Sequence, residues 1–252
     1  ATITATADAK SGTSTTITAG PGALDNFTLV TQHSGTETAG TAFSVTATAR
    51  DAEWNTKTDY TGGHAVAWTW TATNAPSGDS PTKPDDASET FSLGAMTKAG
   101  FTLVNAGQTP TITITSSTKA GTTSAITVNP AGLNDFTVVP STYSPTTDSG
   151  FTVTLTARDV YQNTKTDYTS THSVAWTWAT GGSNSPKGDP ATLATDGNQT
   201  FTLGVSSGIS GFKLVKSETA TVTATADVKS GTSTTITAGP GALDNFTLVP
   251  QH

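Results

Sequence analysis

The chain has 252 residues, a net charge of −7 and no cysteine, which excludes disulfides, thiolate nucleophiles, iron–sulfur clusters and cysteine-bound zinc. A pI near 4.8 with 12 Lys and Arg leaves no basic face to neutralise phosphates, so nucleic acid is not an expected partner. No apolar run reaches the roughly 18–20 residues of a membrane-spanning helix, so no membrane span is expected.

Threonine contributes 58 residues, whereas Leu, Ile, Val and Phe together contribute only 42, a balance that borders on that of disordered chains. The order of these residues argues for sheet instead. Residues 1–22 hold two short strands. The next stretch predicts seven strands near 26–31, 43–51, 65–73, 88–94, 99–105, 110–117 and 123–129. A second set follows near 135–139, 151–159, 173–180, 198–204, 211–216, 220–227 and 232–238. Within them the apolar period is two: Phe43, Val45 and Ala47 alternate with Ser44, Thr46 and Thr48, and Val66, Trp68 and Trp70 alternate with Ala67 and Thr69. Threonine is β-branched and suits the exposed side of such strands. Turn signals fall at Ala39-Gly40, Gly62-Gly63, Ser77-Gly78-Asp79, Ala106-Gly107 and Lys119-Ala120-Gly121. No segment has helical period.

The chain repeats itself at two scales. Residues 1–33 recur at 220–252 with 30 of 33 positions identical, whereas 110–142 match 1–33 at only 14 of 33. The interiors also correspond: 43–51 with 151–159, 55–61 with 163–169, and 66–70 with 174–178. The unit is thus about 110 residues, a usual domain size, and pairs of units repeat every 219 residues. Residues 1–22 read as the last strands of one domain, 23–131 and 132–240 as two whole domains, and 241–252 as the first strand of another. Alternatively, the end strands dock on neighbouring subunits. The joints are short and hold a proline, as in Ala19-Gly20-Pro21-Gly22 and Asn129-Pro130-Ala131-Gly132, which predicts a semi-stiff string of beads.

The pattern Phe-x-Val-Thr-x-Thr-Ala-Arg-Asp-x3-Asn-x4-Tyr-Thr at 43–61 and 151–169 resembles the immunoglobulin-like tandem repeats of bacterial and archaeal extracellular filaments and surface-adhesin stalks. Seven short strands with a tryptophan in the third agree with such a sandwich. The resemblance covers essentially the whole chain. It implies an all-β fold of tandem Greek-key sandwiches and a non-catalytic, rod-forming part at the cell surface or outside it.

Few residues suggest chemistry. Asp51, Asn55 and Asp59, and their copies Asp159, Asn163 and Asp167, offer oxygens to a calcium ion; the alternative is that they cap the turn after the second strand. No other cofactor is expected. Asn26, Asn198 and Asn245 stand in N-glycosylation acceptor patterns. His33, His64, His172 and His252 have no partner at a triad spacing, so a structural role is expected. Trp54, which replaces the Gln162 of the second unit, lies in a turn and marks a candidate contact. Lys10, Lys119 and Lys229 recur but sit beside turn residues, which disfavours an isopeptide crosslink. The chain is therefore expected to be a structural segment of an extracellular filament, or else the spacer or binding module of an adhesin. Its expected partners are copies of itself, head to tail and laterally, together with glycans or a host surface. The strands near 110–117 and 220–227 carry few charges and are expected to pair between copies.

Overall fold

The computed structural model of the protein describes residues 1–246. Among them there is no helix. Strands β1 (Thr4–Ala7) and β2 (Lys10–Thr13) form a hairpin whose residues are all exposed. The chain then runs through β3 (Leu24–Thr31), β4 (Thr36–Thr38), β5 (Ala42–Asp51), β6 (Gly62–Trp70), β7 (Ala87–Phe91), β8 (Ala95–Thr102), β9 (Ile112–Ser116), β10 (Lys119–Thr122) and β11 (Thr127–Asn129). The series returns as β12 (Leu133–Pro140), β13 (Gly150–Asp159), β14 (Ser170–Thr180), β15 (Gly197–Phe201), β16 (Val205–Lys213), β17 (Thr219–Ala226), β18 (Lys229–Thr232) and β19 (Ile236–Thr237).

Sheet β3-β5-β8 packs on sheet β10-β9-β6-β7, and the parallel pair β4/β11 closes one side. In the second copy, β12-β13-β16 packs on β15-β14-β17-β18, with β19 on β17. Each is an immunoglobulin-like Greek-key sandwich with its own core, one drawn from Phe27 to Val128 and the other from Phe136 to Ala238.

The period-two pattern is what places the core. Along β5, Phe43, Val45, Ala47 and Ala49 are buried and the residues between them are not; Phe151, Val153, Leu155 and Ala157 repeat this along β13. Trp68 is fully enclosed and meets Phe101 edge-on, with ring centroids 5.1 Å apart at 79°; Trp176 meets Phe212 at 4.9 Å and the same angle. On the outer faces threonines pair across strands. Thr46 and Thr97 hydroxyls lie 2.9 Å apart, Thr113 and Thr122 2.8 Å, and Thr223 and Thr232 2.7 Å.

Three sequence expectations shift. The turn read at Lys119–Gly121 lies earlier, at Ser117 and Thr118, which both take positive φ as a two-residue hairpin of this kind requires. Lys119–Thr122 is therefore strand, and the expected strand over 123–129 shrinks to Thr127–Asn129. Gly121 serves close approach rather than turning: a Cβ there would stand 2.0 Å from the Phe27 carbonyl oxygen. Secondly, the strands expected over 88–94 and 198–204 stop at Phe91 and Phe201. Leu93 and Gly94, like Leu203 and Gly204, take positive φ and start β8 and β16 sooner than their apolar pattern suggests. Finally, the strands expected to pair between copies are interior. β9 lies between β10 and β6, and β17 between β18 and β14, so both of their edges are already hydrogen-bonded.

The core geometry predicts a sharp contrast between tryptophans. Trp68→Ala is expected to cost about 3–5 kcal/mol through the cavity it leaves. Trp54→Ala, at a side chain 65% exposed, is expected to stay within about 0.5 kcal/mol of the parent. Urea unfolding followed by fluorescence measures both.

Candidate functional site: the joint between the sandwiches

Strands β5 and β13 both end in Arg-Asp, and this pair builds the leading end of each sandwich. At the end of β13 the Asp159 carboxylate is fully buried. Its Oδ1 accepts from the backbone N–H groups of Tyr161 and Asn163, both at 2.9 Å. Its Oδ2 accepts from Asn163 Nδ2 at 2.9 Å and from the Ala131 N–H at 2.9 Å. One side chain thus fixes the turn that follows it and the linker that precedes its own sandwich. Arg158 braces the same turn from outside: Nη1 donates to the Gln162 carbonyl at 3.2 Å and to Thr164 Oγ1 at 2.9 Å.

The turn so held reaches the first sandwich. Asn163 is 3% exposed; its Nδ2 donates to the Val104 carbonyl at 2.8 Å and its Oδ1 accepts from the Ala106 N–H at 3.0 Å. The Tyr161 carbonyl accepts from the Ser77 N–H at 3.0 Å, and its ring packs against the first core. The ring lies over Gly40, whose φ is +75°, so closely that a Cβ there would come within 2.1 Å of the phenol oxygen. The joint is therefore a buried, directional contact.

The first sandwich carries the same leading end. Asp51 accepts from the N–H groups of Gly22 (2.8 Å), Glu53 (3.0 Å) and Asn55 (2.8 Å) and from Asn55 Nδ2. The Gly22 N–H does most to hold its carboxyl below the ordinary range. The Asn55 and Glu53 donors add to this and burial opposes it. Asn55, unlike Asn163, is exposed.

The residues read as calcium ligands divide. Asp51 with Asn55, and Asp159 with Asn163, come together as the turn cap. Asp59 turns instead to Lys57 at 2.9 Å, which lowers its pKa, and Asp167 turns to Lys165 at 2.7 Å. Among the described residues no three His, Asp or Glu side chains converge as a metal-binding group. Of the glycosylation candidates, Asn198 is exposed on edge strand β15. Asn26 is half-buried in β3, and its Nδ2 donates to Asp25. Asn245 is exposed, and the Thr247 of its pattern lies outside the described residues. Trp54 projects from the turn into solvent. His64 and His172 stack on Tyr60 and Tyr168 at 3.8 and 3.9 Å, and His33 pairs with the buried Glu37; His252 lies outside the described residues. Burial, followed by a hydrogen bond to Asp227, raises the Tyr168 pKa.

Gly40, Ser77 and Ala106 stood out in the sequence only as turn residues, and Tyr161 and Val104 not at all. One signal was present: within matching motifs, Tyr161 stands where the first unit has Glu53, and Gly40 where the second has Asp148.

No family model matches the chain, and no curated protein matches it in sequence. Solved structures resemble it at low identity. The adhesin InvE of Yersinia pseudotuberculosis is 18% identical over 84% of this chain and 58% of that one, with a TM-score of 0.34. The Escherichia coli adhesin FdeC is 17% identical over 92% and 69%, at 0.39. Invasin, described as a bacterial integrin-binding protein, is 17% identical over 86% and 40%, at 0.33. The chain thus spans less than two thirds of InvE and of invasin. The sandwich fold itself rests on the strand pairing given above.

Three outcomes follow from this geometry. Asp159→Ala strands buried donors, each worth about 1–3 kcal/mol, and is expected to destabilise the second sandwich by about 3 kcal/mol or more in urea unfolding. Because the folded Asp51 carboxyl titrates below its ordinary 3.8, its contribution is complete above that value and is lost as pH falls through the lower folded one. Asp51→Asn should therefore lower the melting temperature at pH 7 and flatten its decline in acid. Adding calcium or a chelator is expected to leave the melting temperature unchanged, because the Asp51 and Asp159 oxygens are already engaged.

Proposed function

We propose that the chain is a structural, non-catalytic segment of a long fibre or stalk outside the cell, with 23–131 and 132–240 as successive beads. The observation that carries this reading is the joint. A three-residue linker, Pro130–Gly132, is tied to the buried Asp159, and the turn beyond it is locked by hydrogen bonds to Val104, Ala106 and Ser77. Such a contact transmits direction from bead to bead, which a chain of freely hinged modules does not. Residues 1–22 and 241–252, near-copies of 220–241 and 22–33, belong in this reading to neighbouring beads. The low charge and the threonine-paired outer faces suit a surface exposed outside the cell.

In a second reading the beads themselves hold a glycan, and exposed Trp54 favours it. Glycan-array binding that disappears in Trp54→Ala would support that reading; an array with no binding would remove it.

The fibre reading is tested on cells. Antibody raised against the chain should decorate filaments outside intact cells in immunogold electron microscopy. Label confined to the cytoplasm would overturn it. In solution, small-angle scattering should show two beads in line, each about 40 Å long from strands rising ~3.3 Å per residue.

A further inference from the structure

The trailing end of the second sandwich carries an open recess of about 650 Å³, lined in part by Asp148, Lys187, Lys213 and Val215. The correspondence between the repeats shows what this recess is. Asp148 corresponds to Gly40, Lys187 to Ser77, Lys213 to Thr102 and Val215 to Val104. The last two rest on matching bridges, Thr82 with Thr102 and Thr192 with Lys213. At the first sandwich three of these positions, Gly40, Ser77 and Val104, touch the Tyr161–Asn163 turn. The recess is thus the same surface as the established joint, on the other bead.

We propose that it is the socket for a copy of the first sandwich, seated by its Asp51–Asn55 turn. This rests on the fibre reading above. Two observations select this occupant. First, the residues that follow Pro240 are Gly241-Ala242-Leu243-Asp244-Asn245-Phe246, identical to Gly22–Phe27. Second, two lysines line the recess beside Asp148 and Asp189. Where the second sandwich leads with Tyr161, the first leads with Glu53; where the first ends in Ser77 and Thr102, the second ends in Lys187 and Lys213. Lys213 holds Asp148 at 2.8 Å, and Lys187 makes only an exposed 3.8 Å approach to Asp244. Taking the place of Tyr161, Glu53 comes over Asp148, and Lys213 and Lys187 beside it offset the two carboxylates.

The same positions exclude the wrong order. Tyr161 needs a residue without a Cβ beneath it, and Gly40 supplies that at φ +75°. Asp148 takes the same left-handed backbone, at φ +69°, but carries a side chain. A second sandwich therefore cannot seat behind another second sandwich. The two joints form a code: tyrosine over glycine, then glutamate beside lysines, alternating along the fibre with the 219-residue period.

The test extends the full chain by appending residues 34–131 after His252, which completes a copy of the first sandwich. A carbodiimide, which couples touching amines and carboxylates, should link Lys187 or Lys213 to Glu53 of the appended copy. Because the chain has no cysteine, spin labels placed through Ser207→Cys and through Ser88→Cys in the appended copy report the joint. A narrow distance distribution is expected. It should broaden in the Lys187→Glu/Lys213→Glu variant and narrow again when Glu53→Lys is added to the appended copy. Glu53→Tyr there should broaden it as well. A broad distribution in the parent, or one indifferent to charge reversal, would overturn the proposal. Thermal melting of each variant shows that its beads are folded, and surface labelling of cells tests the fibre reading separately.

Discussion

The Asp159 carboxylate accepts four hydrogen bonds at once, from the linker, from its own turn and from the side chain that crosses the joint. A buried carboxylate is tolerated only when its oxygens are satisfied, so the turn, the linker and Asn163 are held in one arrangement together or not at all. That shared constraint converts a short, otherwise featureless connection into a fixed direction. The linker buries Pro130 and part of Ala131, but apolar burial is non-directional, and the proline restricts φ without choosing a geometry. The carboxylate makes the choice.

The cores explain how so few large aliphatics suffice. Each sandwich concentrates its aromatics on the facing sides of two sheets, with Trp68 against Phe101 and Phe27 against Tyr60 and Phe91. Alanines such as Ala47 and Ala49 fill the closely packed positions between them. Threonine meets the opposite demand. Its methyl covers the pleat while its hydroxyl pairs across strands, so a long outer face stays polar with little charge. Each such pair contributes only a few tenths to about 1 kcal/mol, but they recur along the sheets.

Sandwich class and core-facing residues were legible in the sequence because period two and the Trp and Phe positions leave one consistent reading, but the seven strands expected in each unit are nine in the first and eight in the second. Strand ends were less so. Ser117 and Thr118 adopt positive φ although neither residue prefers it, because the hairpin geometry and the close approach of Gly121 to Phe27 outweigh local preference. The interior place of β9 and β17 depends on sheet order, which low charge does not encode. The joint was half visible. Asp51, Asn55, Asp159 and Asn163 stood out by spacing, but oxygen-rich spacing suits a cation and a turn cap equally, and only the directions of the N–H groups separate the two. Tyr161 and Gly40 lie 121 positions apart, and nothing in either motif announces the other.

Alternation also bears on how such a chain avoids misfolding. Adjacent beads of like sequence exchange strands readily, and tandem repeats fail most often that way. Here adjacent copies of the closing hairpin match at 14 of 33 positions and alternate copies at 30 of 33. The strands able to substitute for one another are thus kept a whole bead apart. Exchange between them must cross the intervening sandwich, and the loop that has to close grows accordingly. Separation of this kind needs two bead types, and two bead types need two joints. The steric limit at Gly40 and the side chain at Asp148 supply the asymmetry that keeps a tyrosine-led bead out of the wrong joint.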